Sequence, residues 1–303
     1  LVQLIKLENY ISRYEKDIYH YPSQFTRLKQ ENWKRLKSAW EFQNQQFLET
    51  DNMEEETAEN NFFNWRSFFK KREEIEEEKV TEEDVLPQTE EELKQYFLDT
   101  LLPFQLKWAS TTISEMSFLD RTYYQEPLLK YFLQRFPDTF LLMYNPVFDL
   151  KNSPMEADII LISPLGIEII RVFEWEDNQL LIAGDDRTWY KEENQIQSKI
   201  FSPLLSLKRT EKILKSIFKK HDLDFPVTKV VLTRKNKIEF GAEPYQTKYI
   251  DIDSHDRWLM EKRSISSPLK HRQLKVADYI LRYVETKAMK RPEWDQQDQT
   301  ETF

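Results

Sequence analysis

The sequence predicts an α-helical region over roughly the first 120 residues, followed by an α/β domain on a mixed central sheet. Two observations carry that division. Apolar residues step by three and four as far as about residue 119, and from Asp120 onward helical segments alternate with short β-type runs. Charge divides at the same place: residues 1–120 hold 15 Lys+Arg against 25 Asp+Glu, whereas residues 121–303 hold 29 against 28.

In LVQLIKLENYISRYEKDI the positions Leu4, Leu7, Ile11, Tyr14 and Ile18 fall on one helical face. After HYPS the step resumes at Trp33, Leu36, Trp40 and Phe47, with Gln43 standing where an apolar residue belongs; a helical hairpin is expected. NFFNWRSFFKKREE repeats the step at Phe62, Trp65 and Phe69, and TEEELKQYFLDTLL opens with Thr89 facing Glu92, the pattern of a capping box. Pro103 should kink or end that helix before another over roughly 104–119. These stripes predict helix packing within the chain, or a seam for a protein partner or a second copy. The acidic segments LETDNMEEETAEN and KKREEIEEEKVTEEDVLPQTEEE read as solvated surface.

Beyond Asp120, DRTYYQEPLLKYFLQRF is an amphipathic helix and TFLLMYNPVF, ADIILIS and GIEIIRVFEW are three strands of a meander. SPLLSLKRTEKILKSIFKK is a crossover helix, PVTKVVLT and KYIDID are further strands, and helices run to about residue 285. The chain therefore divides into a helical region at 1–119, the α/β domain at 120–288 and a flexible tail at 289–303, where RPEWDQQDQTETF has too little apolar content to fold.

Composition removes several chemistries. Without cysteine there is no disulfide, thiolate nucleophile or zinc ribbon, and the four histidines at 20, 221, 255 and 271 lack metal-ligand spacing. Any metal would be held by carboxylates. No run of about 18 apolar residues occurs and LVQLIKLENY is not a signal peptide, so no membrane contact and a cytoplasmic location are expected.

Residues 154–175, PMEADIILISPLGIEIIRVFEW, draw the attention to chemistry. Acids stand at the mouth of the first strand, and an arginine lies inside the second. With Glu126 on the preceding helix, Glu156-Ala157-Asp158 before an apolar run, Pro164-Leu165-Gly166-Ile167 at the turn and Trp175 closing the strand, residues from Asp120 to about Ile252 resemble the nuclease-related domain family, NERD. This is a bacterial branch of the restriction-endonuclease-like PD-(D/E)XK fold. The family pattern runs through E-x-D, then P-x-G-I-x-x-I-E-V-K-x-W, and later N-P-x-x-Q. Here I-E-V-K is replaced by Ile170-Arg171-Val172-Phe173, and N-P-x-x-Q by Ser202-Pro203-Leu204-Leu205-Ser206.

The resemblance implies what these replacements remove. In such nucleases Asp and Glu hold Mg²⁺, which activates water and stabilises charge on the phosphate, while Lys orients the water or neutralises charge. Arginine in place of Glu inverts one ligand's charge, and Phe173 transfers no proton. Alternation along the strand puts Arg171 and Phe173 on one face with Ile167 and Ile169, and Glu168 and Glu174 on the other, so neither glutamate replaces the lost ligand. Arg171 is expected to pair with Asp158 or Glu126 where the ion would lie, bridging two carboxylates.

The expected protein is thus a nuclease-related one with a degenerate, non-catalytic centre and no cofactor. It would bind DNA or serve as a scaffold for a protein partner. The relic positions are Glu126, Glu156, Asp158, Arg171 and Phe173, and Asp158 is the one metal candidate. Lys208, Arg209, Lys212, Lys215 and Lys219, with Lys220, form a basic helix that could lie along phosphates. The alternative is a Mg²⁺-dependent DNase or phosphodiesterase using Glu126, Glu156 and Asp158 with a relocated fourth group.

Overall fold

Strand structure begins at the third residue. β1 (Gln3–Leu7) has all five residues buried, which corrects the helix expected over residues 1–18. It pairs in parallel with β3 (Leu141–Tyr144), and a bulge between Leu4 and Lys6 brings Leu4 and Leu7 into one core. A spacing of three on a bulged strand imitates helical periodicity; the sheet wins because it buries every side chain of the segment and pairs its backbone. Of the expected helix there remains one turn, α1 (Arg13–Lys16), closed by a capping box between Ser12 and Glu15.

The computed structural model describes residues 1–50, 86–150, 153–177 and 179–291. It forms two units, Gln24–Leu101 and a larger one made of Leu1–Ser23 with Leu102–Phe303. The smaller unit holds most of α2 (Tyr21–Thr50) and the first part of α3 (Glu90–Trp108). Trp33 packs on Phe97 with ring centroids 5.1 Å apart. Gln43, the break in the apolar stripe, uses its amide as both donor and acceptor to the backbone of Leu86, at 3.2 Å each. The polar residue thus satisfies the backbone of a segment distant in the sequence. The capping box forms, with Thr89 N to Glu92 Oε2 at 3.3 Å and Glu92 N to Thr89 Oγ1 at 3.2 Å. NFFNWRSFFKKREE lies outside the described residues.

α3 runs through Pro103 to Trp108, so the helix expected over 104–119 is corrected. Ser110 and Thr111 bond their hydroxyls back to the carbonyls of Leu106 and Lys107, and the chain turns into β2 (Glu115–Met116), which pairs with β14 (Met289–Lys290).

In the larger unit β6 (Ile159–Ile162), β7 (Ile167–Val172), β11 (Val227–Leu232) and β13 (Thr247–Ile250) complete a six-stranded sheet of order β1-β3-β6-β7-β11-β13. β6 runs antiparallel to its neighbours and the other pairings are parallel, giving the expected mixed sheet. One face packs on α4 (Pro127–Arg135) and α6 (His255–Arg263) through Phe132, Phe136, Trp258, Leu142, Ile170 and Leu232. The other receives α5 (Leu204–Lys220), which buries Leu207, Leu214 and Ile217, and α5 in turn contacts α7 (His271–Leu281). A short hairpin of β4 (Val147–Leu150) and β5 (Ser153–Glu156) precedes β6.

A second sheet was not anticipated. β8 (Leu180–Ile182), β9 (Thr188–Glu193), β10 (Ile196–Phe201) and β12 (Ile238–Glu239) pair in the order β10-β9-β8-β12. Asn194 and Gln195, both at positive φ (49° and 63°), make the two-residue turn between β9 and β10. Gly184 permits the loop before β9, since a Cβ there would stand 2.3 Å from the carbonyl oxygen of Thr188. Among the described residues no helix is long and apolar enough to cross a membrane.

Candidate functional site

The β6–β7 ladder sets Ile159 opposite Ile170; one position further out, Asp158 comes opposite Arg171. Alternation turns both toward α5. There Thr210 Oγ1 donates to Asp158 Oδ2 at 3.0 Å, and the same oxygen accepts from Asp158 N at 3.3 Å. Arg171 Nη1 donates to Asp158 Oδ1 at 3.3 Å. The pair is lopsided in exposure: the Asp158 side chain is 1% exposed and that of Arg171 52%. A guanidinium therefore faces Asp158, held through one nitrogen rather than two. Burial pushes the Asp158 carboxyl above its ordinary range, and the Thr210 hydrogen bond, the Arg171 charge and the Ser206 hydroxyl oppose that without cancelling it. Ser206 closes the Ser202–Ser206 segment that opens α5, and Ser202 Oγ accepts from Leu204 N at 3.2 Å.

Phe173, two residues along from Arg171, meets Trp175 and Trp189 edge-on, with centroids 6.1 and 5.8 Å away. Trp189 is fully buried and also meets Tyr249 at 5.2 Å. Phe173 thus links the end of β7 to the second sheet.

The other acids are elsewhere. Glu126 is the N-cap of α4, accepting from Leu128 N at 3.3 Å, and its charge acts on Tyr144, a member of the core on the α4 side of the sheet. Glu156 ends β5 opposite Val147 and is exposed. Glu168 and Glu174 point away from Asp158, as strand alternation requires. Glu168 pairs with Lys262 of α6. Glu174 takes Arg234 Nε and Nη2 at 2.6 and 2.9 Å and Arg234 N at 3.0 Å. Burial raises the Glu174 carboxyl, but these bonds and the arginine charge outweigh it and leave it below its ordinary range. Among the described residues no group of three His, Asp or Glu side chains could hold a metal ion. One buried carboxylate faced by a guanidinium does not fit Mg²⁺, which needs oxygen donors on several sides.

All six basic residues of α5 are exposed. Lys208 pairs with Asp186, and Lys215 with Glu211 at 2.8 Å, where Glu211 also holds Lys229. Arg209, Lys212 and Lys219 have no acidic partner among the described residues. Thr210 and Ser206, the other residues around Asp158, escaped the sequence reading. Their one signal is a spacing of four on the inward side of an amphipathic helix, which by itself marks packing rather than a site.

The Asp158 arrangement predicts opposite responses to two substitutions. Arg171→Ala should cost about 1 kcal/mol or less, because half of the guanidinium already meets water. For Asp158 the folded-state pKa is raised, so its contribution is fully favourable at acid pH and is lost as pH rises through the folded value. Asp158→Asn should therefore raise the thermal midpoint at neutral pH and flatten its pH dependence. Thermal unfolding across acid to neutral pH checks both; a fall in midpoint for Asp158→Asn at neutral pH would contradict the sign.

Residues 121–233 match the family model described as "Nuclease-related domain". Over 39 residues the chain is 59% identical to an RNA 2',3'-cyclic phosphodiesterase of Geobacillus stearothermophilus, a stretch amounting to 13% of this chain and 12% of that protein. No solved structure matches the chain.

Proposed function

We propose that the nuclease-related domain at residues 121–233 binds nucleic acid without cutting it. The observation that carries this reading is the contact between Arg171 and Asp158. A half-exposed guanidinium offers N–H donors to a phosphate oxygen, yet it cannot generate a hydroxide from water as a coordinated metal ion does. Phe173 adds no proton donor. The outer face of α5 supplies Arg209, Lys212 and Lys219 as further cations for a phosphate backbone. The short likeness to a phosphodiesterase named for RNA makes RNA, beside DNA, a ligand to test.

The purified protein is expected to leave DNA and RNA intact in Mg²⁺ or Mn²⁺, as in a mock preparation. It should bind both at low salt, with affinity falling steeply as salt rises. Lys212→Glu with Lys215→Glu should weaken binding to all sequences alike and reduce the salt slope. Cleavage abolished by Asp158→Ala would overturn the proposal, and so would absence of binding at low salt.

A further inference from the structure

Where α5 ends beside α7, two separate pairs of stacked rings border α7. Tyr19 stacks on His271 with centroids 5.5 Å apart and planes at 29°. His221 stacks on Tyr279 at 4.3 Å and 27°. His221 Nε2 also lies 2.7 Å from the Tyr283 hydroxyl. His271 and Tyr279 stand about two turns apart on α7. Cations accompany the rings. Arg282 lies 4.9 Å over Tyr279 and Lys220 5.0 Å over Tyr283. Lys275 is exposed about one turn after His271 on α7, and Lys219 is exposed in the last turn of α5. Of the acids nearby, Asp278 is engaged by Arg282 at 2.6 Å and Asp224 by Arg272 at 3.2 Å, and Asp17 accepts from the backbone N–H groups of Tyr19 and His20 at 3.0 Å each.

Tyr279 is closed on both faces, by His221 and by Arg282, and is ordinary packing, whereas the Tyr19–His271 stack is open. Tyr19 is 44% exposed, and His271 is exposed on the first turn of α7. An aromatic face of this kind, bordered by cations, is what unpaired bases stack upon, since every base has a π-face and its phosphates need positive charge. Duplex bases are already stacked and cannot use it. The geometry points to a binding surface for single-stranded nucleic acid, with bases stacking on Tyr19 and His271 and phosphates held by Lys219, Lys220 and Lys275. This rests on the nucleic-acid reading above and specifies its substrate class.

The test is fluorescence anisotropy of the full chain with labelled oligo(dT), oligo(U) and a duplex of the same length at low salt. Wild type should bind the single strands more tightly than the duplex. Tyr19→Ala with His271→Ala should weaken single-strand binding by roughly tenfold or more and leave duplex binding within about twofold. Tyr19→Phe keeps the ring and should bind as wild type. Tyr19→Ala alone, at an exposed position, provides the test if the double variant unfolds, and should still weaken single-strand binding by a few fold. Retained duplex binding with single-strand affinity unchanged by either alanine variant would overturn the stacking surface alone. Absence of binding to all three probes would overturn the nucleic-acid reading and the stacking surface with it.

Discussion

Replacing Trp189 by alanine is expected to cost about 3–5 kcal/mol in folding stability. Its indole is fully buried and stands edge-on to Phe173 of the main sheet and Tyr249 beyond it, at 5.8 and 5.2 Å. Removal leaves a cavity at the junction of two sheets, and part of the aromatic pairing is lost as well. Trp189→Phe should cost much less, about 1.5 kcal/mol or below, because a ring remains and no indole N–H is left buried without an acceptor. Urea unfolding reads both. Equal losses would show that the site tolerates no change of shape, whereas a negligible loss for alanine would mean that Phe173 and the second sheet are not mutually supported.

Glu15→Ala is expected to cost about 3 kcal/mol, the low end of what removing one partner of a buried ion pair entails. Lys6 is completely buried on β1, with Nζ 2.5 Å from Glu15 Oε1 and 2.8 Å from Thr286 Oγ1. Without Glu15 the ammonium keeps the threonine oxygen as a bonded partner, and its charge is no longer matched. Burial already lowers the Lys6 pKa, with Glu15 and then Glu285 opposing the shift. The folded chain therefore holds this proton less tightly than the unfolded one, and stability contributed by Lys6 rises as pH increases from the folded pKa toward the unfolded value. In Glu15→Ala the folded pKa falls further, so the deficit should be greatest near neutral pH and shrink in alkaline buffer. A deficit that does not change with pH would indicate that lost packing, rather than the unpaired charge, is responsible.

The sequence by itself determined whatever depends on short-range spacing. Thr89 and Glu92 make their capping box because three residues separate them on a helix. Arg171 faces the Asp158 side, while Glu168 and Glu174 face away, because side chains alternate along a strand whatever surrounds it. The α/β order beyond Asp120 followed from the same periods, and with it the mixed sheet.

Only the tertiary structure decided where spacing is ambiguous or a partner is distant. Leu4 and Leu7 fit a helix until β3, more than 130 residues away, pairs with them across a bulge. Gln43 spoils an apolar stripe until Leu86 arrives with an unpaired backbone. Glu126 is shown as a helix cap on the α4 side, away from Asp158, and Thr210 as the group that accompanies the buried carboxylate. The second sheet gives Phe173 its role through Trp189. Local periods select the kind of element, but the pairing of backbone groups and the burial of charge are settled between segments far apart in the chain, where the cost of an unsatisfied group exceeds the preference of any short stretch.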